Sequence, residues 1–205
     1  MESEEDALEF ARIWMTKDCF AFDTETTSVD PIDAELVGMS FATAPGKAWY
    51  VAVPRETEKA HRMATIFKAA LENPKILKVG QNLKYDITVM SKYGIDVNGP
   101  FFDTMLAHYV IQPELHHNLD ILAETYLHYR TIHIEELIGK AGKGQKNMRD
   151  LPPEDIRDYA CEDADIALRL MEPLKHEMEK TGVTSVFEEI EMPLMPVLAR
   201  MEQHG

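Results

Sequence analysis

Residues 18–26 read Asp18-Cys19-Phe20-Ala21-Phe22-Asp23-Thr24-Glu25-Thr26. Asp18 to Phe22 has the composition of a short buried strand, and the run ends in Asp-x-Glu. Side chains alternate across a strand, so Asp23 and Glu25 point to one face. Two carboxylates about 7 Å apart along a strand can share a cation. The plainer alternative is a strand that runs out into a polar loop, and this stretch by itself does not separate the two.

Working outward, Leu36–Ala42 and Ala48–Val53 are β-prone runs on either side of Ala44-Pro45-Gly46-Lys47. Turn chemistry between two such runs predicts a hairpin. Thr57 to Leu71 carries Ala60, Met63, Ala64, Phe67, Ala70 and Leu71 at helical spacing. Ile76–Val79 reads as a strand, and Asn82 as the N-cap of a helix running to about Lys92. Pro100–Phe102 is a further short strand. Asp103 reads as the cap of a helix to Ile111, and a helix from Asn118 reaches Tyr129.

Gly139 to Arg149 breaks the pattern with three glycines and four basic residues, Lys140, Lys143, Lys146 and Arg149, which predicts a mobile, solvated loop. Pro152-Pro153-Glu154-Asp155 opens a long helix to Lys180, Gly182 punctuates it, and a last helix starts at Thr184. Strands followed by strand–helix alternation predict an α/β sheet with helices packed on it. Such folds place ligands at strand ends and helix starts.

Two more acidic motifs fall at such places. Val79-Gly80-Gln81-Asn82-Leu83-Lys84-Tyr85-Asp86 puts a carboxylate in the first turn of a helix, where the helix dipole also favours one. Tyr159-Ala160-Cys161-Glu162-Asp163 puts a phenol and a carboxylate four apart, on one helical face. An amphipathic helix with solvated Asp158, Glu162, Asp163 and Asp165 is the plainer account. Cys161 reads as a small core residue and Asp165 as a carboxylate near the site or in solvent. His108, His116 and His117 have no companion cysteines for a zinc site, and adjacent histidines cannot face one ligand from a helix.

The formal net charge is −15, which argues against a broad basic face gripping duplex nucleic acid. It leaves room for a narrow site on a few nucleotides. Much of the negative charge lies at the ends, Glu2 to Glu9 and Glu172 to Glu202. No apolar run has membrane-span length, the N-terminus is acidic rather than signal-like, and two cysteines make no redox or metal spacing. A cytoplasmic monomer is expected, with no membrane partner. Buried carboxylates gathered from several elements repel one another unless cations lie between them. Divalent ions on carboxylates are the usual apparatus of phosphodiester cleavage.

The three motifs in this order and spacing resemble the Exo I, Exo II and Exo III motifs of the DEDD exonucleases, and Tyr159 marks the DEDDy type. The likeness is greatest to the 3′→5′ proofreading domain of bacterial DNA polymerase I. Phe102-Asp103-Thr104-Met105-Leu106 and His117-Asn118-Leu119-Asp120 agree with it. Residues 187–202 resemble the junction helix leading into the polymerase domain.

The resemblance implies an RNase H-like fold, a five-stranded mixed sheet with helices on both faces. It implies an exonuclease domain over 1–182 and, over 183–205, a junction helix that starts a truncated polymerase domain. It also implies two divalent ions, Mg2+ or Mn2+, with Zn2+ possible at the first. Asp23, Glu25 and Asp163 would hold that first ion. Asp23 would bridge to the second, with Asp86 near it through water. Tyr159 and Glu25 would orient the attacking water. Thr24, Thr26, Gln81, Asn82, Lys84, Tyr85 and His116 would contact the last nucleotides of a single-stranded DNA 3′ end, with Val29 and Ile134 against the terminal base. Relatives carry Leu and Phe where Val29 and Ile134 stand, and Arg where His116 stands, so a weaker grip on single strands is implied. The implied activity is hydrolysis of 3′-terminal phosphodiesters of single-stranded or frayed DNA, releasing nucleoside 5′-monophosphates. The alternatives are an RNase D-like RNA-processing exonuclease and a catalytically degenerate module of a polymerase.

Overall fold

The computed structural model describes Met1 and residues 3–204. Glu2 and Gly205, at the ends of the acidic stretch and of the junction segment, lie outside the described residues. The elements in chain order are α1 (Glu4–Trp14), β1 (Cys19–Thr26), β2 (Leu36–Ala44), β3 (Lys47–Ala52), α2 (Thr57–Ile66), α3 (Lys68–Leu71), β4 (Leu77–Gly80), α4 (Leu83–Ser91), β5 (Phe101–Asp103), α5 (Thr104–Ile111), α6 (Leu119–Leu127), α7 (Ile134–Ile138), α8 (Pro153–Thr181), α9 (Thr184–Val186) and α10 (Met192–His204). One π turn, Phe187–Glu191, joins α9 to α10. No helix among the described residues is long and apolar enough to cross a membrane.

The sheet is five-stranded and mixed, in the order β3-β2-β1-β4-β5. β1 pairs antiparallel with β2 and parallel with β4, β2 pairs antiparallel with β3, and β4 parallel with β5. The central strand β1 sorts its side chains by parity. Phe20 and Phe22 join a core with α1, α2, α3, α4 and part of α10, whereas Ala21 joins a second core with α5, α6 and α8. Helices therefore cover both faces. Glycine at position 80 keeps β4 close to β1: a Cβ there would lie 2.4 Å from Leu83 Cδ2 and 3.0 Å from the Phe22 carbonyl.

Several local readings change in the folded chain. β1 continues to Thr26, four residues past the expected end, because β2 pairs with it through the acidic motif, Asp23 opposite Ser40 and Glu25 opposite Gly38. The expected helix 57–71 breaks at Phe67, whose fully buried side chain packs 5.1 Å from Trp14 and Phe41. The α1 helix has no counterpart in the sequence reading. Its signal was present in Ser3, whose Oγ accepts from Asp6 N, and in the Ala7, Ala11, Trp14 spacing. Trp14 is fully buried and stacks on Phe41 at 4.1 Å. α7 also went unread, since a five-residue helix is too short to set up a period.

Arg149 is not solvated. Its guanidinium donates to the Val53 carbonyl at 2.8 Å and the Leu36 carbonyl at 2.5 Å. Asp165 lies neither in solvent nor at the site: its Oδ1 accepts from Gly46 N at 2.7 Å, fastening the β2–β3 turn to α8. Asn82 stands at the N-cap of α4, but left-handed at φ 63, and its side chain makes no capping bond. Asp103 serves instead. It caps its own helix through Met105 N and Leu106 N, and its carboxylate also accepts from Asn82 N and Leu83 N. Gly182, left-handed at φ 75, closes α8 as a C-cap residue.

Candidate metal centre and nucleic-acid cleft

Strand geometry carries Asp23 and Glu25 out on the Ala21 face of β1, the face that α8 covers. The helix lies close because its inward residues are small: Ala160, Ala164 and Ala167 are all buried. That approach delivers Asp163. One oxygen from each of Asp23, Glu25 and Asp163 lies within 4.8 Å of the other two. Glu25 is buried, and its Oε1 has no hydrogen-bond partner among the described residues. A buried acceptor left unmet, among other carboxylates, is costly unless something cationic meets it.

The electrostatics follow from this crowding. Burial first, then Asp23, Asp163 and Asp86, push the Glu25 carboxyl well above its usual range. Burial and then Asp23 raise Asp163. Asp23 rises to about 7, chiefly by burial, with the Thr24 amide opposing. Asp86 is buried and also raised, by burial and then by Asp23. It stands apart in geometry: its Oδ1 accepts from both Thr24 N at 3.1 Å and Thr24 Oγ1 at 2.6 Å, so it is anchored to β1 beside the trio rather than within it. Tyr159 lies one turn before Asp163 on α8, with its phenol beside that carboxylate. Burial and the neighbouring carboxylates push the phenol far upward, so it keeps its proton as a donor.

The donor set fits hard divalent cations, which take carboxylate oxygens. The Glu25 carboxylate, with an oxygen left unmet by the fold, is a group that such an ion would satisfy. Cys19 and Cys161 are not among the three ligating groups that meet here.

A cleft of about 710 Å³ opens over the trio, its lining including all four carboxylates and Tyr159. Thr24, Thr26, Gln81, Asn82 and Tyr85 line it as well. The Tyr85 hydroxyl lies 2.5 Å from Thr26 Oγ1 and from the Ser28 carbonyl, which pins the turn carrying Val29. Val29 is 96% exposed, and with Ile134 it contributes apolar surface to the lining. Two expected contacts fall outside the lining. Lys84 Nζ pairs with Glu202 of α10 at 2.6 Å, and His116 is exposed on the α5–α6 connection.

Lys146, read in the sequence as one of four basic residues on a solvated loop, is the one cation among the described residues lining the cleft, and sequence reasoning did not single out Asn147. Asn147 Nδ2 donates to the Thr27 carbonyl at 2.8 Å, tying the glycine-rich loop to the end of β1 across 120 residues of chain. No local pattern announces a bond of that span.

The model of the 3'-5' exonuclease family matches residues 1–179. DNA polymerase I of Pseudomonas aeruginosa is 41% identical over 94% of this chain. The chain spans about a fifth of that relative's length, 22%. Among solved structures, Brucella melitensis NrnC superposes with a TM-score of 0.76 at 19% identity, covering 93% of this chain and 87% of that one. RNase D of Escherichia coli, described as an exoribonuclease involved in structured RNA processing, gives 0.75 at 16% identity, covering 97% and 50%. At such identities the structural likeness speaks for the fold.

Proposed function

The chain belongs to the 3'-5' exonuclease family, and from that premise we propose that it hydrolyses the 3′-terminal phosphodiester of single-stranded or frayed DNA, releasing nucleoside 5′-monophosphates as a proofreading domain does. The carrying observation is the Asp23–Glu25–Asp163 trio, one oxygen from each within 4.8 Å of the others, with the buried Glu25 carboxylate left short of a hydrogen-bond partner at Oε1. In this reading the trio holds one divalent ion, Mg2+ or Mn2+, and Asp23 with Asp86 holds a second. Such ions supply an acidified water and neutralise charge that builds on the phosphate oxygens.

The chain's own side chains do the rest. Tyr159, protonated and beside Asp163, would give its single phenol proton to a hydrogen bond with the incoming water and orient it. Thr24 holds Asp86 so that the carboxylate cannot turn away. Val29 and Ile134 flank the terminal base. Gln81, Asn82, Tyr85 and the Thr26 backbone face the last nucleotides. His116 and Lys84 take outer phosphates if the strand runs that far.

Residues 1–182 act as the exonuclease domain in this proposal, and 183–205 lead toward a polymerase domain of the same chain, in the bacterial cytoplasm. The last helix supports this. Met195 and Ala199 bury into the exonuclease core, while Ile190, Leu194, Val197 and Met201 remain exposed along one side. That spacing is an apolar stripe suited to a further packing partner.

The test is an end-labelled single-stranded oligonucleotide with Mg2+ or Mn2+. A ladder shortening from the 3′ end, lost with EDTA and with Asp163→Ala, is expected. No cleavage by the unaltered protein would leave a degenerate module. Faster cleavage of RNA than of DNA of the same sequence would move the substrate class to RNA.

A further inference from the structure

The segment 112–118 joins α5 to α6, and at its end Asn118 and then Leu119 line the cleft. Two bonds hold it in place. The His117 carbonyl accepts from Gln81 Nε2 at 2.6 Å, while Gln81 Oε1 accepts from Thr104 Oγ1 at 2.5 Å. Thr104 Oγ1 also reaches the Gly80 carbonyl at 3.1 Å. The second bond joins rings: His117 Nδ1 lies 2.7 Å from Nδ1 of His108. His108 is 1% exposed, on α5 beneath the segment.

Two imidazole Nδ1 atoms at that separation need one proton between them, one ring donating and the other accepting. A further proton on the pair goes to a free Nε2 and leaves the bridge intact. Charging both rings puts two N–H groups face to face and opens it. The groups facing the pair are Tyr126 from α6, edge-on at 5.8 Å to His108, Tyr109 from α5 at 5.5 Å to His117, and the Gln112 side chain. No salt bridge among the described residues engages either ring. Burial, and then His117, push the His108 pKa down, which favours His108 as the acceptor.

We infer that His108 is a positioning residue for the substrate: through the shared proton it orients His117, and so fixes Gln81 and Asn118 as one wall of the single-strand site, with the exposed His116 beside it. This rests on the exonuclease reading above. It assigns a task to two histidines that do not line the cleft themselves.

The experiment measures kcat and KM on a single-stranded DNA oligonucleotide with Mg2+. His108→Leu removes the acceptor and should raise KM roughly three- to tenfold, the worth of one buried hydrogen bond, with kcat nearly unchanged. His108→Asn places a carbonyl oxygen near the lost Nδ1 and should recover most of the loss. The KM ratio of the Asn variant to the unaltered protein should fall as pH drops, because only the unaltered pair can be opened by a second charge. His116 is common to both proteins, so its contribution cancels in the ratio. An unchanged KM in a folded His108→Leu protein overturns the inference, as does a ratio flat in pH. If His108→Leu fails to fold, the Asn variant and its pH ratio still decide. If the unaltered protein cleaves nothing, the exonuclease reading falls instead. The pair is then judged by its imidazole 15N spectrum, where one shared Nδ1 proton supports it and two independently titrating rings overturn it.

Discussion

Asp103 and Glu25 are both buried carboxylates on the same sheet, and the protein treats them in opposite ways. Asp103 sits where β5 turns into α5. Its two oxygens collect four backbone N–H groups, from Asn82 and Leu83 at the start of α4 and from Met105 and Leu106 in the first turn of α5. Two helix N-termini thus solvate one charge. Burial still outweighs those amides, and Asp103 is raised only to about 6. Glu25 has an oxygen with no partner among the described residues and three carboxylates pressing on it. A carboxylate that the fold satisfies is a structural part. One that the fold leaves wanting is a place for a ligand.

The largest expected difference is in activity. Glu25→Ala or Asp163→Ala should cut kcat by roughly a thousandfold or more, several kcal/mol of lost charge stabilisation. Near-normal cleavage by Asp163→Ala at saturating Mg2+ would remove the trio from the mechanism. Asp103→Ala should act on stability instead. Losing the caps of two helices and a charge-assisted buried bond is expected to cost about 2–4 kcal/mol, read as a lower midpoint in urea unfolding. A small loss there would mean that water replaces the carboxylate easily, and the contrast would blur.

Tyr159→Phe comes next. Removing one hydrogen bond to the nucleophile should lower kcat by roughly tenfold, while the Mn2+-induced rise in Tm persists because the carboxylates remain. A lost Mn2+ shift would make Tyr159 a support for the ion site rather than a donor to water.

The smallest effect is the most diagnostic. Asp163→Asn should raise the Tm of the metal-free protein, by relieving repulsion, and remove most of the Mn2+ shift. Most substitutions at a half-buried position destabilise, so the sign is informative. Its pH dependence has a fixed direction. Burial raises the Asp23 pKa to about 7 in the fold, well above the ordinary carboxylate range, and Asp163 is raised too. Carboxyls raised in this way contribute stability that is full below their unfolded values and is lost as pH rises through the folded ones. The Asp163→Asn advantage should therefore be absent near pH 4 and grow toward pH 8. The Mn2+ shift of the unaltered protein should grow over the same range, because the ion needs ionised ligands. A pH-independent difference between the two proteins would mean that the trio does not titrate as a repelling group.

Much of this site is local information and stood in the sequence. The alternation of Phe20, Ala21, Phe22 and Asp23 assigns sides on β1, the four-residue spacing of Tyr159 and Asp163 places them on one face of α8, and Asp103 before a helical run marks a cap. The wider pattern of strands and long helices was legible for the same reason, since period and capping depend on neighbours a few residues apart. Some of the local signals were outweighed. Ser3 and the Ala7–Ala11–Trp14 spacing were obscured by the acidic residues around them, and the capping habit of asparagine misplaced the role of Asn82.

What the tertiary structure alone decided are the meetings of distant residues. That Asp103 also serves α4 follows from β4 and β5 lying side by side in parallel. Arg149 turns inward because two carbonyls, of Leu36 and Val53, converge where the hairpin leaves them. Lys84 is drawn to Glu202 of α10 instead of the cleft. His108 and His117 share a proton only because the chain doubles back between α5 and α6. Sequence determines what each residue can donate, accept or bury. Which partner answers depends on chain closure and packing over tens of residues, a free-energy balance that no local pattern carries.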